Sequence, residues 1–385
     1  MNWIVKLYKR LFSFIIMNPK TLITTLLKSA GVEVNGNQDW DIIVKNERLY
    51  KRILRDGNLG LGESYMDGWW GCKRIDLLFD KILRGRLERK VRGLHSLSLA
   101  LKAILFNLQN KEKAKEVGKK HYDVGNDLYK LMLDKYMMYS CAYWKTAKTL
   151  DQAQEDKLRL ICEKLKLKKD ERVLDIGCGW GGFARYAAQK YKVKVVGITI
   201  SEEQAKLAKE LCKGLDVEIR LQDYRLLNEK FDKIVSIGMF EHVGVKNYKD
   251  YFKVVSECLN DQGLFLLHTI GRNTSVHYND PWFHKYIFPN AVLPSAKQIA
   301  KTTEGVFILE DWHSFGVDYH KTALEWMKKI TKNWDKLKSK YDDRFYRMWE
   351  YYLMSCAGTF KARRNQLWQI VFSKFGVDKG YESVR

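Results

Sequence analysis

The residue types that could bind a small cofactor occur in one glycine-rich stretch, DIGCGWGG, which runs from Asp175 to Gly182. Glycines at the turn between a strand and a helix let a ligand approach the backbone closely. The spacing is G-x-G-x-G-G, not the G-x-G-x-x-G of dinucleotide binding, and the chain has no G-x-x-x-x-G-K-[ST] for nucleoside triphosphates. Asp175 would repel a pyrophosphate and suits a positively charged ligand. The stretch therefore predicts a site for a cationic cofactor.

The elements that position this turn alternate between strand and helix patterns from Tyr122 onward. Five apolar runs are typical of buried strands, and helical patterns separate them: RVLDIG, KVVGITIS, VEIRLQ, KFDKIVSIG and LFLLHTIG. The helical pattern EEQAKLAKELCKGL follows Ser201, which we predict as its N-cap, and the helix NYKDYFKVVSECLN ends at the polar NDQG. This alternation predicts an α/β fold with a parallel sheet that is covered on both faces.

Composition narrows the choice of partners. Of the 385 residues, 46% are hydrophobic and 30% are charged, so the chain can form a packed core. The net charge of +22 favours a polyanion, either nucleic acid or an anionic membrane, and the 12 Trp and 21 Tyr favour the membrane. The seven cysteines form no C-x-x-C pair, which predicts reduced thiols in a cytosolic protein and no structural metal site.

The first 120 residues hold 24 basic and 12 acidic side chains and are denser in positive charge than the rest. Apolar residues recur at helical spacing from Trp3 to Ile15, which predicts a basic amphipathic helix that either lies on a membrane or docks on the protein. The run RGRLERKVR, from Arg84 to Arg92, is either a solvated helix face or a polyanion-binding patch. We predict a docking domain over residues 1–108, a linker over 109–120 and a catalytic domain over 121–385.

The DIGCGWGG turn resembles motif I of the S-adenosylmethionine-dependent methyltransferases, whose cofactor carries a sulfonium and an ammonium. The wider pattern over residues 119–374 resembles the bacterial cyclopropane-fatty-acyl-phospholipid synthase family. The motifs that carry this resemblance are HYDVGNDLY, MMYSCAYW, GITISEEQ, QDYR, GMFEHVG, LLHTIG, PWFHKYIFPN and EDWHSFGVDYH. The basic N-terminal region is similar to that of the longer bacterial members.

This resemblance implies a class I methyltransferase fold: a Rossmann-like, mostly parallel seven-stranded sheet with a smaller, basic, largely helical N-terminal domain. The implied reaction transfers a methylene from S-adenosylmethionine to the cis double bond of unsaturated phospholipid acyl chains, through methyl transfer, a carbocation and deprotonation. Family members are homodimers, which implies the same here. We expect a cytoplasmic enzyme on the inner face of the bacterial cytoplasmic membrane, with no nucleic acid partner.

The resemblance also implies the site residues. In the family a bound bicarbonate ion is the base, held at the positions that match Cys141, Glu241, His268, Ile270 and Tyr319. Either the bicarbonate donates a hydrogen bond to Glu241, or His268 and Tyr319 offset the charge. The implied cofactor residues are Tyr139, Ser140, Asp175, Gly177, Gly179, Thr199, Gln204, Gln222 and Asp223. The predicted membrane-docking residues are Arg84, Arg86, Arg89 and Lys90.

One departure from the wider methyltransferase pattern concerns the second strand of the sheet. Many such enzymes end that strand with an acidic residue for the ribose hydroxyls, whereas this strand ends with Thr199, Ile200 and Ser201. Thr199 and Gln204 then have to supply those hydrogen bonds, and Gln222 and Asp223 would face the adenine.

Several interpretations stay open at this point. Two aromatic stretches, from Trp282 to Phe288 and from Trp349 to Phe360, either line an acyl channel or belong to the core. The same carbocation could also give methyl-branched or hydroxylated products. A methyltransferase that acts on RNA or on a small molecule is a further alternative. The positive net charge favours an RNA substrate, but the chain lacks the Pro-Pro motif of amino-methylating enzymes. A catalytically inactive membrane-binding protein is disfavoured because all the implied site positions are present.

Overall fold

The computed structural model describes residues 18–87 and 125–385, and these belong to two compact units. The division differs from the predicted one, because two later segments join the N-terminal residues. Within the described residues the first unit comprises 18–87, Asp280–Pro289 and Trp334–Ala362, and the second comprises Gly125–Asn279, Asn290–Asn333 and Arg363–Arg385. The predicted catalytic domain over 121–385 is thus interrupted twice. The docking and catalytic roles of these parts stay predictions.

The described N-terminal residues are mostly helical, as the resemblance implied. Their elements are α1 (Pro19–Lys28), β1 (Ile43–Val44), α2 (Arg48–Asp56), α3 (Asn58–Met66), β2 (Trp70–Gly71) and α4 (Ile75–Arg84). Strands β1 and β2 form a short antiparallel ladder.

Strands and helices then alternate through most of the chain. They are α5 (Asn126–Met132), α6 (Leu150–Lys164), β3 (Arg172–Ile176), α7 (Gly182–Tyr191), β4 (Lys194–Thr199), α8 (Glu202–Leu211), β5 (Val217–Leu221), β6 (Phe231–Ile237), α9 (Tyr248–Cys258), β7 (Leu259–Arg272), α10 (Pro281–Tyr286), α11 (Ala296–Thr303), β8 (Ile308–Ser314), α12 (Val317–Leu337), α13 (Asp343–Lys361) and β9 (Asn365–Ser373).

Helix α13 explains why late residues belong to the first unit. It packs against α4 at Gly358, where an added Cβ would lie 2.5 Å from the Cβ of Phe79 and 2.6 Å from the backbone oxygen of Asp76. The guanidinium of Arg84 donates to the Lys361 carbonyl at 2.8 Å, which ties the ends of the two helices together. Such close packing needs a residue without a side chain at the crossing point.

A seven-stranded sheet forms the centre of the second unit, in the order β5-β4-β3-β6-β7-β9-β8. Strands β3 to β7 run parallel, and β9 runs antiparallel to both β7 and β8. Leu174 and Ile176 pack on one face with helix α9, whereas Val173 packs on the other with helices α6 and α7. Both faces are buried, so the predicted α/β fold with a mostly parallel, covered sheet is confirmed.

Two local predictions concerned the start of helix α8 and the end of helix α9. Ser201 is the N-cap of α8, since its hydroxyl accepts the backbone N–H of Gln204 at 3.3 Å, as predicted. Helix α9 ends at Cys258, two residues before the predicted end at Asn260, and the polar NDQG stretch that was predicted to end the helix lies within strand β7. Strand β7 already begins at Leu259, because that residue pairs with Phe231 before a bulge shifts the register.

Within 18–87 and 125–385, no helix is both long and apolar enough to cross a membrane.

Candidate functional site

The glycine-rich turn follows β3 directly and is fixed to the neighbouring strand. The backbone N–H groups of Gly177 and Cys178 donate to the Ile198 carbonyl of β4 at 3.0 and 2.9 Å. Gly179 has a φ of +55°, and a Cβ added there would meet nothing within 4 Å. A Cβ at Gly177 would instead lie 2.6 Å from the Cβ of Met239. The turn is therefore closed at Gly177 and open at Gly179, where a ligand can reach the backbone.

Asp175 lies one residue before the end of β3 and is 2% exposed. Burial raises the pKa of its carboxyl to about 7, and the ammonium of Lys157 opposes that rise. Lys157 was not among the predicted residues, although it is fully buried on α6. The burial of Lys157 could have been predicted from the sequence, because its helical spacing places it on the same apolar face as Ala153 and Ile161.

The predicted ribose and adenine residues lie together at the carboxyl ends of β4 and β5. The Thr199 hydroxyl donates to Oε1 of Gln204 at 3.0 Å, and the Thr199 carbonyl accepts the backbone N–H of Gln222 at 3.0 Å. Asp223 forms an ion pair with Arg225 at 2.6 Å, which lowers the pKa of the Asp223 carboxyl. Ligands of open α/β sheets bind at this edge, so these side chains are placed where a nucleoside can be held.

Tyr139 and Ser140 lie on an irregular segment before α6. Nζ of Lys157 donates to the Ser140 hydroxyl at 2.9 Å, and the Gln154 side chain donates to the Ser140 carbonyl at 2.9 Å. The ring of Tyr139 lies 5.1 Å from that of Tyr129 and 5.3 Å from that of Trp326. Helix α6 thus holds the segment through two buried polar side chains, which leaves the Tyr139 ring within an aromatic cluster.

Three of the predicted base-site residues meet at the ends of β6 and β7. Oε1 of Glu241 accepts the backbone N–H of Ile270 at 2.7 Å, and the Gly238 N–H donates to the His268 carbonyl at 2.9 Å. Glu241 is 5% exposed and His268 is 1% exposed. Burial raises the pKa of the Glu241 carboxyl to about 7, while the Ile270 N–H opposes the rise. Burial also lowers the pKa of His268 far below its usual value, so that imidazole is neutral.

Two atoms of this cluster are buried without a hydrogen-bond partner among the described residues. They are Oε2 of Glu241 and Nε2 of His268. Leaving a buried polar atom unpaired costs about 1–3 kcal/mol, so such atoms indicate a place for a ligand. Gln369, which was not among the predicted site residues, contacts the other nitrogen of His268, Nδ1, at 3.3 Å.

Cys141 and Tyr319 are connected by helix α12. Cys141 is fully buried, and the backbone N–H of the next residue, Ala142, donates to the Thr322 hydroxyl at 3.2 Å. Tyr319 lies one turn before Thr322 and is 9% exposed, with its ring 5.8 Å from that of Trp326. Burial raises the pKa of the Cys141 thiol well above its usual value, so the sulfur is not a thiolate. All the predicted cofactor and base residues lie in the second unit.

The docking residues are described only in part. Arg84, the last residue of α4, and Arg86 just beyond it are exposed, and Arg84 forms an ion pair with Asp80 at 2.7 Å. Arg89, Lys90, the predicted helix from Trp3 to Ile15 and the linker over 109–120 lie outside the described residues.

The two aromatic stretches pack against each other in the first unit. The rings of Trp282 and Tyr351 are 4.6 Å apart, and those of Phe288 and Tyr352 are 5.8 Å apart. Trp282 is 1% exposed and Tyr351 is 3% exposed. This packing favours the core interpretation over an acyl channel. All seven cysteines are free thiols in the structure.

The site fits S-adenosylmethionine. The open backbone at Gly179 gives the cofactor room, and a hydroxyl and a carboxamide, those of Thr199 and Gln204, lie at the next strand end. A glycine-rich turn at the carboxyl end of β3, within a seven-stranded sheet of this order, defines a class I S-adenosylmethionine-dependent methyltransferase.

Comparison with known proteins gives the family. A family described as mycolic acid cyclopropane synthetase matches residues 109–370. Cyclopropane-fatty-acyl-phospholipid synthase of Escherichia coli (strain K12) is 55% identical over 361 residues, which cover 94% of this chain and 94% of that protein. The chain therefore belongs to the mycolic acid cyclopropane synthetase family and is a methyltransferase of the cyclopropane-fatty-acyl-phospholipid synthase type.

Solved structures agree with this assignment. The cyclopropane synthase MmaA2 from Mycobacterium tuberculosis is 28% identical with a TM-score of 0.63, over 70% of this chain and 100% of that one. The mycolic acid cyclopropane synthase CmaA1, complexed with SAH and CTAB, is 30% identical with a TM-score of 0.61, over 66% of this chain and 96% of that one.

Proposed function

We propose that this methyltransferase converts cis double bonds in the acyl chains of membrane phospholipids into cyclopropane rings, with S-adenosylmethionine as the methylene donor. The observation that carries the proposal is a pair of buried atoms in the second unit that have no hydrogen-bond partner among the described residues, Oε2 of Glu241 and Nε2 of His268. A simple methyl transfer to nitrogen or oxygen needs no separate anion site. Ring closure does need a base, because a proton must leave the added methyl group.

We further propose that the base is a bicarbonate ion held between these two atoms. When bound, S-adenosylmethionine supplies an electrophilic methyl group and bicarbonate supplies the base. Bicarbonate has a hydroxyl that can donate to Oε2 of Glu241 and oxygens that can accept a hydrogen bond from His268. The pKa of about 7 at Glu241 supports this arrangement, because a partly protonated carboxyl repels an anion less than a fully ionised one. Cys141 and Tyr319 would complete the site.

Three neighbouring aromatic rings of the second unit are suited to surround the reacting alkene. The Trp326 ring lies 5.3 Å from the ring of Tyr139 and 5.8 Å from the ring of Tyr319. Aromatic faces stabilise a nearby cation, and an apolar wall keeps water away from it. A double bond is a weak nucleophile, so holding it in place contributes about 7–11 kcal/mol to the barrier reduction. We assign these rings to the wall of the reaction site.

The first unit would bring the enzyme to its substrate. Acyl chains lie inside a bilayer, and cations near an anionic surface each contribute about 1 kcal/mol to binding. We propose docking through the run from Arg84 to Arg92 and the predicted basic helix from Trp3 to Ile15, at the inner face of the cytoplasmic membrane. We also propose a homodimer, which sedimentation of the purified protein would test.

The deciding experiment combines purified protein, S-adenosylmethionine and vesicles of anionic phospholipid with monounsaturated chains. Mass spectrometry of the acyl chains, with and without added bicarbonate, measures the product. We expect a gain of one CH₂ that resists hydrogenation, and a faster reaction with bicarbonate. Absence of a lipid product while the cofactor still binds would contradict the proposal and favour RNA or a soluble acceptor.

A matched pair of variants distinguishes a specific role of Glu241 in the base site from the general effect of losing one negative charge. Glu241→Gln should abolish ring formation and keep cofactor binding. Glu304→Gln, on an exposed turn after α11, should leave the product yield unchanged. Equal activity of both variants would contradict the role of Glu241.

A further inference from the structure

His268 contacts the side chain of a residue on the neighbouring strand that has no assigned role. On β7 it pairs in register with Gln369 on β9, and both side chains are buried. Nε2 of Gln369 lies 3.3 Å from Nδ1 of His268. The other ring nitrogen, Nε2 of His268, has no partner within the described part of the chain.

The orientation of the Gln369 carboxamide indicates which ring nitrogen of His268 carries the proton. In the orientation that the structure gives the Gln369 carboxamide, its nitrogen faces Nδ1 of His268, and because that nitrogen can only donate a hydrogen bond, Nδ1 accepts it. The imidazole is neutral because burial, with the charges of Lys157 and Lys164 as smaller contributions, lowers its pKa far below the usual value. A neutral imidazole carries one N–H, which must then be on Nε2.

We propose that Gln369 is a positioning residue that holds His268 in the Nε2–H tautomer, so that the ring donates a hydrogen bond to the anion of the base site. This inference rests on the proposed function for the identity of that anion. It also assigns a role to His268, because a ring whose Nε2 already carries a proton and whose Nδ1 is occupied cannot be the base. His268 is instead a hydrogen-bond donor.

The opposite tautomer would be unfavourable for an anion. With the proton on Nδ1, the lone pair of Nε2 would face the bound oxygens, and both the attraction and the hydrogen bond would be lost. Oε1 of Gln369 is also buried without a partner among the described residues, so the contact with His268 is the hydrogen bond that orients this carboxamide.

The direct test is a two-bond ¹H–¹⁵N correlation spectrum of the full-length protein, labelled on the rings of its eight histidines, at about pH 8. The His268 signals are identified by their loss in His268→Asn. We expect a protonated Nε2 and an unprotonated Nδ1. A protonated Nδ1 in the wild-type protein would overturn the proposal without any reference to activity.

The variant Gln369→Glu supplies the second test. A carboxylate can only accept from the ring, so the proton should move to Nδ1 and Nε2 should lose it. The bicarbonate concentration for half-maximal activity should then rise at least about tenfold, with unchanged affinity for S-adenosylmethionine. Gln366→Glu is the matched control on the same strand, because Gln366 pairs with Asn273 and Arg363 instead. It should change neither the His268 signals nor the bicarbonate requirement.

The outcomes distinguish this inference from the proposed function. If the wild-type tautomer is as expected and the enzyme does not respond to bicarbonate, the anion of the proposed function is wrong. If the enzyme responds to bicarbonate but Gln369→Glu leaves that response unchanged, the positioning role of Gln369 is wrong.

Discussion

The ammonium of Lys157 donates a hydrogen bond to the hydroxyl of Ser140 at 2.9 Å, and both side chains are buried. The same ammonium opposes the rise that burial causes in the pKa of Asp175, just before the glycine-rich turn. Burial in turn lowers the pKa of Lys157 to about 8. One lysine on α6 therefore supports two parts of the predicted cofactor site that are far apart in the sequence. Positioning of this kind acts through the groups that touch the ligand.

Replacing Lys157 with methionine should weaken cofactor binding. The variant Lys157→Met removes the donor to Ser140 and the charge that favours ionised Asp175. We expect the Kd for S-adenosylmethionine, measured by calorimetry, to rise about tenfold, which corresponds to about 1.4 kcal/mol. Lys164→Met is the matched control, because Lys164 is buried on the same helix but forms an ion pair with Asp311 at 3.2 Å. Equal effects of both variants on the Kd would contradict the role of Lys157.

Gly179 offers a test of where the cofactor lies. A residue with a Cβ at its φ of +55° costs about 1 kcal/mol of stability, although the Cβ itself would meet no atom within 4 Å. We expect Gly179→Ala to raise the Kd for S-adenosylmethionine at least about tenfold, because the methyl group enters the space of the ligand.

Gly214→Ala provides the control for backbone strain. Gly214 has a φ of +82° and equally open surroundings. Both variants should lose similar stability in thermal unfolding, but only Gly179→Ala should bind the cofactor poorly. A normal Kd for Gly179→Ala would place the cofactor elsewhere.

The sequence predicted the sheet well because continuous apolar strands leave a strong periodic signal. The N-cap at Ser201 was predictable for a similar reason, since capping depends on neighbouring residues. Lys157 and Gln369 were missed because their roles depend on contacts between elements that are distant in the chain. The membership of α13 in the first unit also depends on packing, here of Gly358 against Phe79, which leaves no local sequence pattern.

Membrane docking can be tested without disturbing the packing of α4. Arg84 bonds to Asp80 and to the Lys361 carbonyl, so it is left in place. The double variant Arg86→Glu with Arg89→Glu should reduce the affinity for anionic vesicles at least about thirtyfold in sedimentation assays, because each lost cation contributes about 1 kcal/mol near the surface. Cofactor binding should not change.

The control for this prediction has the same change in net charge. Lys209→Glu with Lys213→Glu alters exposed residues at the end of α8 and just after it, in the second unit. It should reduce vesicle binding much less. Equal losses in both double variants would mean that net charge, rather than the run from Arg84 to Arg92, controls docking.

Glu241→Gln should make the protein more stable at alkaline pH while abolishing ring formation. Folding raises the pKa of the Glu241 carboxyl to about 7, so the folded state binds the proton more tightly than the unfolded chain, and the wild-type protein loses stability as pH rises from about 4.5 to 7. Glutamine keeps the acceptor for the Ile270 N–H and carries no charge. We expect the variant to gain on the order of 3 kcal/mol at about pH 8 and almost nothing near pH 4.5, measured by thermal unfolding. A gain that does not depend on pH would mean that Glu241 is already ionised at no cost in the folded protein.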